Sequence, residues 1–124
     1  MIVLEFPGIR PQSKRPPRFY NGRSIVEPHY KAWRNLFGML ARGQWLRPDF
    51  TMREPIADPV AVTVTFKTAS GVMRGDLDNS FAAVADGLMD GDVLEDDKWI
   101  CRLSAEVVKA PRSEVGITVT ITPL

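Results

Sequence analysis

The sequence has one cysteine, Cys101, and one histidine, His29, among its 124 residues. One thiol closes no disulfide within a chain, and a structural zinc site of the usual kind needs more thiolate and imidazole ligands than these two supply. Long apolar runs are missing as well. The longest, around Val60 to Phe66, is interrupted by threonine and is far shorter than the ~20 residues that span a bilayer. Met1-Ile2-Val3-Leu4 is too short for the apolar core of a secretion signal, so a reducing cytoplasm with no membrane partner is the expected setting. The most informative deficit is local. From Asp76 to Asp97 there is no lysine or arginine, while eight carboxylates (Asp76, Asp78, Asp86, Asp90, Asp92, Glu95, Asp96 and Asp97) fall in that stretch.

Carboxylates drawn together repel and raise one another's pKa values unless a metal ion, basic partners or protonation relieves them. With so little sulfur and imidazole, a metal here would be held mainly by oxygen, which points to Mg²⁺ or Mn²⁺. The rest of the chain is charged the other way: residues 1–55 carry a net +6 and residues 56–124 a net −5, hidden inside a total of +1. A basic surface beside an acidic pocket suits a protein that grips phosphates with one part and works on them with a metal in the other. An ordinary solvated surface of uneven charge would look the same.

A chain of 124 residues makes one domain, 1–124. The pattern is an α/β mixture of the α+β kind, a small single domain with a mixed β-sheet and two main helices. Residues 2–6 read as a strand, and Phe19 to Val26 as a hairpin turning at Asn21-Gly22. Between them, Pro7 to Pro17 is a proline-rich basic loop. Pro28 suits the first turn of a helix, with Tyr30, Trp33, Leu36, Phe37 and Leu40 at helical spacing as its expected core stripe. Lys31, Arg34 and Arg42 on its polar face suit either a phosphate backbone or solvent. After a linker at Arg47 to Pro59, Val60, Val62, Val64 and Phe66 alternate with more polar residues, as in a strand with one buried face. Leu77, Phe81, Val84, Ala85 and Leu88 predict a second helix with Asp76 and Asp78 at its start, and further strands follow at Ile100 to Val108 and Val115 to Ile121.

Asp before a helix is among the commonest N-caps, so one of Asp76 and Asp78 could be only that. A cap needs a single carboxylate, however, and Asp-x-Asp answered about 20 residues later by Glu95-Asp96-Asp97 is more than capping requires. A calcium loop fails on spacing, because the required glycine position falls on Phe81 or Glu95. Asp86, Asp90, Gly91 and Asp92 read as a helix end and a turn with a structural role.

The ordered set Arg74-Gly75-Asp76-Leu77-Asp78-Asn79, a helix, then Asp90-Gly91-Asp92-Val93-Leu94-Glu95-Asp96-Asp97 resembles the RusA family of Holliday junction resolvases. The first strand, the basic proline-rich loop (Pro11 to Arg18), the Asn-Gly hairpin and the helix near Tyr30 extend the resemblance over nearly the whole chain. It implies a homodimeric, Mg²⁺-dependent endonuclease, tolerant of Mn²⁺, that nicks two strands of a four-way DNA junction symmetrically in recombination and repair. The family's catalytic and metal-binding acids fall on Asp76, Asp78 and Asp97, with Asp96 as the neighbouring metal candidate. Lys14, Arg15, Arg18, Arg23, Lys31 and Arg74 are the expected DNA-binding residues, and the implied source is bacterial, prophage or phage.

The chain departs from the family at Ala82, where the pattern carries a lysine six residues after the first motif aspartate. Lys98 beside Asp97 is the nearest catalytic replacement in sequence, and Lys67 or Lys31 could reach the site in space. A branched-DNA-binding protein with weak or no nuclease activity is the alternative from another class, and a small metal-binding domain without nucleic acid is a third. A metal buffer has no need of the basic loop. Trp45 and Leu46 are candidates for a dimer contact, or equally for packing within the monomer.

Overall fold

Strict alternation in Val60–Thr68 (β4) buries Val60, Val62, Val64 and Phe66 completely and makes this strand the spine of the molecule. The computed structural model describes residues 1–14 and 16–124; Arg15 and the side chain of Arg18 lie outside the described residues. Gly116–Pro123 (β6) pairs antiparallel with β4 on one side, and Ile2–Pro7 (β1) pairs antiparallel with β6 beyond it. On the other side Ile100–Lys109 (β5) runs parallel to β4, giving the order β1-β6-β4-β5. A parallel neighbour requires a crossover connection, and Leu77–Asp90 (α2) supplies it. The expected mixed sheet with two main helices is thus the observed fold.

The first helix, Pro28–Trp45 (α1), starts with Pro28 in its first turn and the Glu27 carboxylate accepting from the Tyr30 N–H at 2.8 Å. Before it, Arg18–Tyr20 (β2) and Arg23–Ile25 (β3) form the expected hairpin. Asn21 and Gly22, at φ 49° and 74°, supply the two left-handed residues of its turn. One apolar face of the sheet and the inner faces of both helices form a single core: Leu4, Phe6, Phe37, Phe66, Phe81, Leu88, Ile117 and Ile121 all belong to it. The other sheet face is polar, with the Thr118 hydroxyl donating to Glu5 at 2.8 Å and Lys67 3.9 Å from the same carboxylate.

The core stripe of α1 differs from the expected one. Tyr30, Phe37, Gly38, Ala41 and Trp45 are buried, whereas Leu36 and Leu40 are exposed. The reason is the close approach of α2, which meets α1 at Gly38: a Cβ there would stand 3.0 Å from the Asp90 Cβ, and one at Gly91 would stand 2.6 Å from the Gly38 carbonyl oxygen. Phe37 stacks between Phe6 and Trp33, with ring centroids 4.0 Å and 5.0 Å away. Trp45 is buried beneath the Arg53 guanidinium, 5.1 Å from its ring, so it packs within the monomer and is not free for a dimer contact.

Candidate active site and nucleic-acid surface

The chain reaches α2 from the end of β4 through Arg74 and Gly75. Gly75 lies so close to Ser13 that a Cβ would collide with the Ser13 hydroxyl, and the Lys14 N–H donates to the Asn79 carbonyl at 3.1 Å. The basic proline-rich loop is therefore stitched to the start of the helix that carries the acidic motif. Asp76 occupies the N-cap position, yet its side chain makes no capping bond to the backbone and accepts instead from the Asn79 side-chain amide at 3.4 Å. Asp78, in the first turn, accepts from the adjacent Asn79 N–H at 2.9 Å. Both carboxylates are exposed at the positive end of the helix dipole.

Beyond the other end of α2, Asp97–Trp99 forms a short 3-10 turn leading into β5, with the Asp96 carboxylate accepting from the Lys98 N–H at 2.9 Å. Asp96 and Asp97 share a hydrogen bond. The Lys98 amide and that bond hold Asp96 below the usual carboxylate range. The same bond, with burial and the Asp96 charge, pushes Asp97 up; Lys14 opposes this rise and Asp86 adds to it. A carboxyl held beside another carboxylate is expected to keep its proton more tightly. Among the described residues, no group of three or more His, Cys, Asp or Glu side chains stands placed to hold a metal ion. The donors are carboxylate oxygens, which fit Mg²⁺ or Mn²⁺ in chemistry, and Mg²⁺ commonly takes only one or two carboxylates and completes its shell with water and substrate phosphate.

Asp86 departs from its expected role as part of a helix end and turn. It sits inside α2, 6% exposed. The Tyr30 hydroxyl donates to it at 2.5 Å, the Lys14 ammonium lies 3.3 Å away, and the Arg34 guanidinium lies at 4.0 Å while forking onto Asp90 with two 2.8 Å bonds. Burial and the bond to Asp86 push the Tyr30 phenol above its ordinary pKa, and the bond to Asp90 raises Arg34 further. The signal was present in the sequence: a carboxylate within the apolar run Phe81 to Leu88 must find partners inside the fold.

The expected catalytic Lys98 stands 5.2 Å from the Trp99 ring, next to Asp97 in the chain. Of the expected DNA-binding residues, Arg23, Lys31 and Arg74 are exposed and, among the described residues, form no ion pair. Arg23 lies on the hairpin, Lys31 on the first turn of α1 and Arg74 just before the acidic motif. Lys14 lies at the Asp86 carboxylate, and Arg15 and the Arg18 side chain fall outside the described residues. No helix among the described residues is long and apolar enough to cross a membrane.

The molecule is a small α+β domain whose parallel crossover helix carries exposed carboxylates at its start, where the basic loop is bonded through Lys14. The family model of endodeoxyribonuclease RusA matches residues 8–122, and the chain belongs to the RusA endodeoxyribonuclease family. No curated protein matches the chain significantly.

Proposed function

We propose that the protein is a Mg²⁺-dependent, structure-specific endodeoxyribonuclease that resolves four-way DNA junctions by paired symmetric nicks, acting as a twofold dimer. Membership of the RusA family across residues 8–122 is the observation that carries this reading. Asp76 and Asp78 at the start of α2 and Asp97 with Asp96 after it are the residues that would hold the divalent ion, with Mn²⁺ able to substitute. The ion would supply a more acidic bound water and neutralise charge on the scissile phosphate. In the hydrolysis, a water oxygen forms a bond to phosphorus, the bridging P–O bond breaks, and the water's proton ends on the departing oxygen. Arg23, Lys31 and Arg74 would grip flanking phosphates, which positions DNA without reading its sequence. A dimer places one acidic site on each of two strands related by the junction's symmetry.

A branched-DNA-binding protein with little or no nuclease activity is the second reading. What favours it is Ala82, which stands where the family pattern carries a lysine. Asp78→Asn separates the two. It should abolish Mg²⁺-dependent cutting while junction affinity holds or rises, because it removes a negative charge near DNA. Cleavage by Asp78→Asn at the parent rate would remove Asp78 from the site.

A further inference from the structure

We infer that Lys14, seated on the buried Asp86 carboxylate, is a cationic group of the cleavage site that contacts the phosphate being cut, with Asp86 and Tyr30 as its positioning residues. The inference rests on reading the site as a phosphodiester-cleaving one. Three observations support a place for Lys14 there and not on a peripheral DNA-gripping surface.

Its backbone is fixed first: the N–H bonds the Asn79 carbonyl at 3.1 Å, and Gly75 packs so tightly on Ser13 that the loop follows the start of α2 closely. Its side chain is then anchored at its tip, 3.3 Å and 3.4 Å from the two Asp86 oxygens. The anchor has other support, since the Tyr30 hydroxyl at 2.5 Å and Arg34 at 4.0 Å meet Asp86 from α1. The Lys14 side chain remains 47% exposed, so an ammonium with three donors keeps hydrogen-bonding capacity toward solvent.

A lysine held this way is preorganised, because a flexible stem that would otherwise lose rotamer freedom on binding is already ordered. As the bond from water to phosphorus forms and the bridging P–O bond breaks, negative charge grows on the phosphate oxygens, and a fixed ammonium stabilises it. Of the lysines expected as replacements, Lys31 is exposed on the first turn of α1 with no ion pair among the described residues, and the other two are engaged elsewhere. Lys67 faces Glu5 on the polar side of the sheet, and Lys98 lies against Trp99.

The test uses the full chain with Cys101→Ser as parent, which leaves no other thiol, and labelled four-way junction DNA at saturating concentration with Mg²⁺. Lys14→Met should slow single-turnover cleavage about 100-fold, and Asp86→Asn, which keeps the Tyr30 contact but weakens the anchor, should slow it by less. Lys14→Cys should be equally slow until treated with 2-bromoethylamine, which rebuilds a lysine-like ammonium. Recovery on that treatment supports a role for the charge at that point and excludes a fold defect. A parent that cleaves, with Lys14→Met equally fast or Lys14→Cys unrecovered, overturns the role of Lys14 alone. A parent that does not cleave overturns the nuclease reading and this inference with it.

Discussion

Asp86 is a carboxylate with 6% of its surface exposed, and Tyr30, Lys14 and Arg34 together offset the cost of burying it. The shortest contact is the Tyr30 hydroxyl, so Tyr30→Phe should destabilise the fold by about 1–3 kcal/mol, the cost of leaving a buried acceptor short of a donor. Denaturant titration measures it. The same pair gives an alkaline signature. Burial and the Asp86 bond raise the phenol's pKa in the folded state, whereas an unfolded tyrosine ionises near ~10. The folded state thus binds that proton more tightly, and the stability this contributes is complete below pH ~10 and lost as pH climbs through the higher folded value. The difference in stability between wild type and Tyr30→Phe should therefore shrink as pH rises from about 9 to about 11. A constant difference would mean that the phenol ionises equally in both states. Sequence patterning shows that Asp86 needs a partner but not which one, because Lys14 and Tyr30 lie 72 and 56 residues away.

At the scale of elements, periodicity made most of the fold legible. The alternation in β4, the Asn21-Gly22 turn and the apolar spacing in α2 each match the structure within a residue or two. The face of α1 was less legible. Leu36, Met39 and Leu40 are apolar yet exposed, while Gly38 and Ala41 are buried, because small residues carry little hydrophobic signal but allow α2 to approach. Gly87 is part of that approach: a Cβ there would run into the Phe37 ring, itself stacked on Phe6 and Trp33. Gly87→Ala must displace a packed aromatic and should cost about 1–3 kcal/mol, despite the better helix propensity of alanine. Thermal unfolding checks the direction, and a stabilised variant would show that Phe37 repacks freely. The candidate site was legible in its acidic pieces and their order. The loop bonded to α2 was not, since that contact joins Lys14 to Asn79 with no local signal in either segment.

For the whole molecule, the division into a basic N-terminal and an acidic C-terminal portion becomes interleaved in space. Ser13 and Lys14 meet the start of α2 at Gly75 and Asn79, and Lys14 and Arg34 from the basic portion meet Asp86 and Asp90 from the acidic one. Part of the positive charge is spent inside the fold, which leaves Arg23, Lys31 and Arg74 exposed for a phosphate backbone. On the proposed function, this surface and the flanking carboxylates cut branched DNA. The most direct test is cleavage of end-labelled four-way junction, linear duplex and single-stranded DNA by purified protein, with and without Mg²⁺. Paired, symmetry-related nicks are expected in the junction alone and only with the metal. Tight junction binding without nicks, or equal cutting of duplex, would contradict it.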